Sequence, residues 1–127
     1  MTARTQRLKQ LLTLQEQLKA FHEMRRATFV ARAAEAERDA AEILERRTGP
    51  DSLSHLFPDV YAGFVEKANA RRITNERLAQ AEAAKVATET ARTNMVERSW
   101  RDARRGDERK AEDSAALEAA ERMRKAD

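Results

Sequence analysis

Between about Asp59 and Met123 the chain has no proline and, after Gly63, a single glycine, Gly106. That run limits the possible folds more than any other feature. Its large apolar residues are sparse (Tyr61, Phe64, Val65, Leu78, Val86, Met95, Val96 and Trp100), and charges fill most of the rest. The pattern predicts one helix of roughly 60 residues, about 90–100 Å long at ~1.5 Å per residue. A small globule has no room to bury such a helix. It has to lie against a second long helix or against a partner.

Composition decides between those surroundings. Charged residues make up 37% of the chain and aromatics 5%, and mean hydropathy is -0.82. Alanine supplies much of the 41% hydrophobic content and buries little area per residue. A thin seam between helices is therefore expected, not a thick core. Disorder is the rival for so polar a chain. Alanine, leucine, glutamate, lysine and arginine dominate, however, and these are strong helix formers.

A second helix is expected from about Thr5 to Arg47, with Met1 to about Thr5 frayed. Leu11, Leu14, Leu18 and Phe21 fall at spacings of 3, 4 and 3, the signature of a coiled-coil seam, and Leu8 extends it backward. Beyond Phe21 the stripe weakens through Met24, Thr28 or Phe29 and several alanines, and Ile43 and Leu44 restore it. Thr48-Gly49-Pro50-Asp51 stops this helix, with Gly49 suited to a left-handed cap and Pro50 unable to continue the ladder. Pro58 suits the first turn of the long helix. Residues 48–58 then form a connector of about eleven residues, longer than the usual ~2–8.

The expected architecture is all-α: one antiparallel two-helix coiled-coil hairpin over residues 1–127, with helix one at about 5–47 and a longer helix two at about 59–124. Facing numbers sum to about 106, so Ile43 meets Phe64, Phe29 meets Leu78, Phe21 meets Val86 and Leu11 meets Met95, with Leu8 near Val96 and Trp100. That register leaves an overhang of helix two after about residue 105, starting near Gly106. Ala111, Ala115, Leu117, Ala120 and Met123 give the overhang an amphipathic stripe with no partner in its own chain.

Catalytic and metal-binding patterns are missing. His22 belongs to His22-Glu23-Met24-Arg25-Arg26, where the second histidine of a zinc-binding His-Glu-x-x-His would be Arg26. His55 is expected on the connector surface. Gly49, Gly63 and Gly106 are too scattered to cradle a phosphate. No cysteine is present, which excludes a disulfide framework and a thiolate site. A non-enzymatic protein without cofactor or metal is expected. The net charge of +3 comes from 25 basic and 22 acidic residues with interspersed signs, not from the one-sided stripe that nucleic acid requires. No apolar run approaches ~18 residues and no apolar signal core opens the chain, so the expectation is a cytoplasmic protein without membrane insertion.

Trp100 has two readings, seam packing against Leu8 or a partner-facing anchor. The cluster Arg101, Arg104, Arg105, Arg109 and Lys110 is either a solvated face or a contact surface where helix two loses its cover. Tyr61, Phe64 and Val65 share one side at the hairpin end, partly packed on Ile43 and Leu44.

Three features in order complete the pattern. They are a leucine-rich helix one with Glu23-Met24-Arg25-Arg26, a break followed by Tyr61-x-x-Phe64-Val65, and a polar helix carrying Ser99-Trp100-Arg101 and a tail at Leu117-Glu118 and Arg122 to Lys125. The chain thereby resembles, over nearly its whole length, the flagellar type III export proteins of the FliJ type and their YscO-class virulence counterparts. The resemblance implies an antiparallel coiled coil similar to the stalk of rotary ATPases. It implies three partners: a hexameric export ATPase entered by the paired termini, an export gate membrane protein, and export chaperones. It implies a gate-facing patch of Tyr61, Phe64, Ala68, Arg71 and Asn75. The ATPase-facing residues it implies are Trp100, Arg101, Arg104, Arg105, Arg109 and Leu117. The alternative is a structural coiled-coil adaptor that self-associates or bundles with a partner helix.

Overall fold

The computed structural model describes residues 2–126. Two helices, α1 (Ala3–Thr48) and α2 (Pro58–Ala126), account for nearly all of them, and no strand occurs among the described residues. The fold is an all-α two-helix hairpin with the longer helix second. Both helices are built from good helix formers and are charged almost all round, so packing and not propensity must hold them. Arg46 and Arg47 close α1, Asp59 opens α2, and Arg124 and Lys125 close it, each sign opposing the helix dipole at its end.

The start of α1 is ordered by specific bonds, contrary to the expected fraying; Met1 itself lies outside the described residues. Thr2 caps the helix, its Oγ1 accepting from the Thr5 amide at 3.2 Å. The Thr5 hydroxyl donates to Asp107 at 2.7 Å and the Thr2 amide donates to the same carboxylate at 3.1 Å. At the other end of α1 no glycine takes a positive φ. The left-handed cap expected at Gly49 is therefore absent. The Gly49 amide donates instead to the Arg46 carbonyl, tightening the last turn before Pro50 removes the next donor.

The pairing falls into two compact units. One combines residues 2–19 with 88–126, and the other is Ala20–Ala87. In the first, Thr5, Leu8, Leu12, Gln15 and Lys19 of α1 turn inward, as do Glu89, Thr93, Val96, Trp100, Ala103 and Asp107 of α2. In the second, His22, Phe29, Ala33, Ala36, Ala40 and Ile43 turn inward, together with Tyr61, Val65, Ala68, Arg72, Asn75, Ala79, Glu82 and Val86. Alternating steps of 3 and 4 generate nearly all of these positions, the 3.5-residue period of a coiled coil. Cross-helix bonds run in opposite chain order inside each unit. Thr5 pairs with Asp107 and Gln15 with Glu89 in the first, and His22 with Glu82 and Asp39 with Arg71 in the second. The offset is close to the one expected, but α1 is rotated about its own axis.

That rotation corrects the expected seam. Leu11, Leu14, Leu18 and Phe21 are exposed, and the inward stripe lies one position round. Met95, Phe64 and Leu78 are exposed as well, so the large-to-large pairs Ile43–Phe64, Phe29–Leu78 and Leu11–Met95 do not form in the seam. The reason lies on α2. Its inward positions hold Asn75, Glu82, Glu89 and Thr93, which need polar partners once buried. The α1 stripe supplies Gln15 to Glu89 and His22 to Glu82, which the leucine stripe could not, while Thr93 and Asn75 bond to carbonyls of α2 itself. Alanine fills the rest: Ala33, Ala36, Ala40, Ala68 and Ala79 are buried, which lets the backbones approach closely.

Candidate interaction surfaces

The most buried charged side chain is Glu82, in the Ala20–Ala87 unit. Glu82 is 2% exposed, and its carboxylate is held by His22, Arg25 and Lys85. His22 Nδ1 is 2.7 Å from Oε2, and Arg25 Nε and Lys85 Nζ are 2.9 and 3.4 Å from Oε1. Burial pushes this carboxyl up. The bonds from His22 and Arg25 and the charge of Lys85 outweigh burial and hold it at about 2. The Arg25 and Lys85 side chains reach water, so the carboxylate can stay ionised. Glu89 is held comparably in the other unit by Gln15 and by Arg92 at 2.9 Å. These are structural sites. The substituents around Glu82 are satisfied by one another, and among the described residues no cluster of three His, Cys, Asp or Glu is placed to hold a metal.

A pH dependence follows. The folded pKa of Glu82 lies below its ordinary value of 4.5, so the stability it contributes is fully present above about pH 4.5 and is lost as pH falls toward 2. Acid titration of helicity at 222 nm should show a loss concentrated in that window. In Glu82→Gln the loss should shrink; an unchanged acid limb means other carboxylates carry it. Asp107, also lowered, chiefly by the Thr5 hydroxyl and the Thr2 amide, contributes in the same direction.

The five residues of the expected gate-facing patch are not on one surface. Ala68 is 0% exposed inside the seam, and Tyr61 and Asn75 share its inward heptad row. Tyr61 accepts at its hydroxyl from the Leu53 amide at 3.4 Å, and Asn75 Nδ2 donates to the Arg71 carbonyl at 2.8 Å. Phe64 and Arg71 lie on the rim: Phe64 is 53% exposed, and Arg71 pairs with Asp39 at 3.4 Å. Only these two are available to a partner. Ala68 drops out because the step from Phe64 to Ala68 crosses from the rim into the seam.

The length of the connector points to a packed cap or a contact loop, and its residues decide which groups it presents. Leu53, Leu56 and Phe57 of the connector and Val60 in the first turn of α2, just before Phe64, are each about half exposed, as is Leu44 near the end of α1. The connector is shaped by its own bonds. The Ser54 hydroxyl donates to the Arg47 carbonyl at 3.2 Å, the Leu56 and Phe57 amides both donate to the Leu53 carbonyl at 2.9 Å, and the Phe57 carbonyl accepts from Tyr61 to open α2. Half-exposed apolar groups brought to one turn make the connector a candidate contact surface. The signal was present as Leu53-x-x-Leu56-Phe57-Pro58, where the proline marks a helix start and so places the preceding apolar pair at a turn.

Of the ATPase-facing residues, Trp100 turns into the seam of the terminal unit. Lys9 Nζ and the Arg104 guanidinium lie 5.6 and 4.9 Å from its ring centroid, and its buried Nε1 has no acceptor. Three of the arginines meet carboxylates of their own helix: Arg101 with Glu97 at 2.6 Å, Arg104 with Glu108 at 3.8 Å and Arg105 with Asp102 at 4.0 Å. Their positive field is correspondingly reduced. Arg109 and Leu117 are exposed, and Leu117 lies in a segment from Glu108 to Ala126 where every side chain is exposed. Asp107 makes the last cross-helix bond before that segment. No described helix is long and apolar enough to cross a membrane. Comparison with known proteins gives no matching family model, no matching curated protein and no matching solved structure.

Proposed function

We propose that this chain is a non-enzymatic, cytoplasmic component of a type III protein export apparatus, flagellar in type. In this role it acts as a coiled-coil stalk for the hexameric export ATPase and contacts the export gate membrane protein and export chaperones. The carrying observation is the free end of α2. The helix continues from Glu108 to Ala126 with no cross-helix bond and every side chain in solvent. Most helical stability in proteins comes from packing, which this segment lacks within the chain, so a partner that encloses it has much to stabilise. The resemblance of the Tyr61-x-x-Phe64 and Ser99-Trp100-Arg101 segments to the export stalks names the partner. For the gate, the connector surface with Phe64 and Arg71 replaces the patch that included Ala68.

The test is steady-state ATP hydrolysis by the cognate export ATPase with and without the full-length chain. Stimulation that weakens with salt supports the stalk, since the contacts near Arg104 and Arg109 are electrostatic and exposed. No stimulation at any ratio removes the reading and leaves a coiled-coil adaptor. The adaptor has its own specific observation, the row of leucines on the outside of α1.

A further inference from the structure

In the unit of residues 2–19 and 88–126, three donors from the start of α1 converge on one carboxylate. The Thr2 amide, the Thr5 hydroxyl and, at 3.5 Å, the Thr2 hydroxyl all reach Asp107 Oδ2. Antiparallel pairing from that point sets Trp100, two turns earlier on α2, against the stretch from Leu8 to Leu12. Lys9 Nζ accordingly lies 5.6 Å from the Trp100 ring centroid. The first turns of α1 therefore cover this tryptophan.

Two terms oppose that cover. Thr2 to Gln10 carries Arg4, Arg7 and Lys9 and no acidic residue, and α2 from Arg98 to Lys110 carries six basic residues and three acidic ones. Two net-positive stretches thus face each other, which disfavours closing. Asp102 and Glu108 are engaged by Arg105 and Arg104 of their own helix, whereas Asp107 bonds to α1. Closing also leaves Trp100 Nε1 buried without an acceptor, a desolvation cost that exposure relieves.

We propose that the segment from Thr2 to Gln10 is a strap that opens and closes over Trp100, with Asp107 as its catch. Closed, the three bonds to Asp107 and the half-buried Leu8 hold it against the repulsion. Open, the indole and its unused N–H face solvent beside Arg101 and Arg104, where α2 leaves the hairpin. Tryptophan with arginine is the make-up of a binding anchor. Leu12, 9% exposed, marks where firm packing resumes, so opening stops short of the rest of the seam. The strap belongs to the chain alone and stands whether or not the stalk reading does.

Trp100 is the only tryptophan, so fluorescence of the full-length chain reports the strap directly. In Asp107→Ala, quenching by acrylamide should rise about twofold or more, and the amides from Gln6 to Leu12 should exchange about tenfold faster or more, the scale of losing a hydrogen bond to a charged acceptor. Exchange within Ala20–Ala87 should match the parent. Sodium chloride at about 0.5 M should restore part of the shielding in that variant, because it screens the repulsion between the two basic stretches. Thr5→Val keeps the shape of a side chain that is 0% exposed and removes the shortest bond to Asp107, so quenching should rise in the same direction by less. If Asp107→Ala unfolds the chain outright, Thr5→Val decides. Quenching equal to the parent's in the folded variants overturns the strap. So does exposure of Trp100 in Thr5→Val that comes only with faster exchange throughout Ala20–Ala87, or shielding that salt leaves unchanged.

Discussion

Deleting residues 108–127 should abolish stimulation of the cognate export ATPase while leaving the hairpin folded. The separation of effects is the point of the experiment. Every described side chain after Asp107 is exposed, and Leu117 and Met123 are 68% and 74% exposed, so removing them costs the seam no packing. The cap on α1 survives, because Thr2, Thr5 and Asp107 remain. The ion pair of Arg122 with Glu118 is a solvent-exposed i,i+4 contact worth only about 0.3–0.5 kcal/mol. Melting of the shortened chain should therefore stay within a few degrees of the parent. Hydrolysis by the ATPase should fall to its unstimulated rate. If the shortened chain stimulates as well as the full one, the free end of α2 is not the stalk.

A second large effect separates the seam from its rim. Ala68→Asp should destabilise the Ala20–Ala87 unit by about 3 kcal/mol, since it forces a carboxylate into a position that is 0% exposed. Phe64→Asp, four residues earlier and 53% exposed, should shift stability by less than about 1 kcal/mol. Binding to the gate protein should respond in the opposite order at a temperature where both variants are folded. Phe64→Asp should lose it, and Ala68→Asp should lose only what unfolding takes away. Urea melts give the stabilities and titration calorimetry gives the binding. Equal stability losses at the two positions contradict the placement of Ala68 inside the seam.

The two helices, their order and the break between them follow from residues visible in the chain. A long run without proline, Pro50 and Pro58 at the ends of the connector, and dense helix formers leave little else. The face of α1 that turns inward does not follow so readily. Leu11-Leu14-Leu18-Phe21 and Leu8-Leu12-Gln15-Lys19-His22 both satisfy coiled-coil spacing, and apolarity alone favours the first. What decides is pairwise: Gln15 has Glu89 and His22 has Glu82, matches 74 and 60 residues apart in sequence. A periodicity taken one helix at a time has no access to such matches. The same limit explains the patch containing Ala68. Steps of 4, 3 and 4 from Phe64 do trace one helix face, but only the rotation of α2 against α1 tells which part of that face is covered.

The central claim is that a seam of alanines and paired polar groups holds the hairpin while the larger leucines stay outside. The most direct measurement is the urea unfolding free energy of Leu12→Ala beside Leu14→Ala, followed by helicity. Leu12 is 9% exposed and Leu14 is 62% exposed, two residues apart on one helix. Leu12→Ala should cost about 2–3 kcal/mol, the lower part of the range for buried leucines because a two-helix seam offers a thin cover. Leu14→Ala should cost less than about 1 kcal/mol. A larger loss at Leu14 than at Leu12 would place the leucine stripe inside and contradict the account.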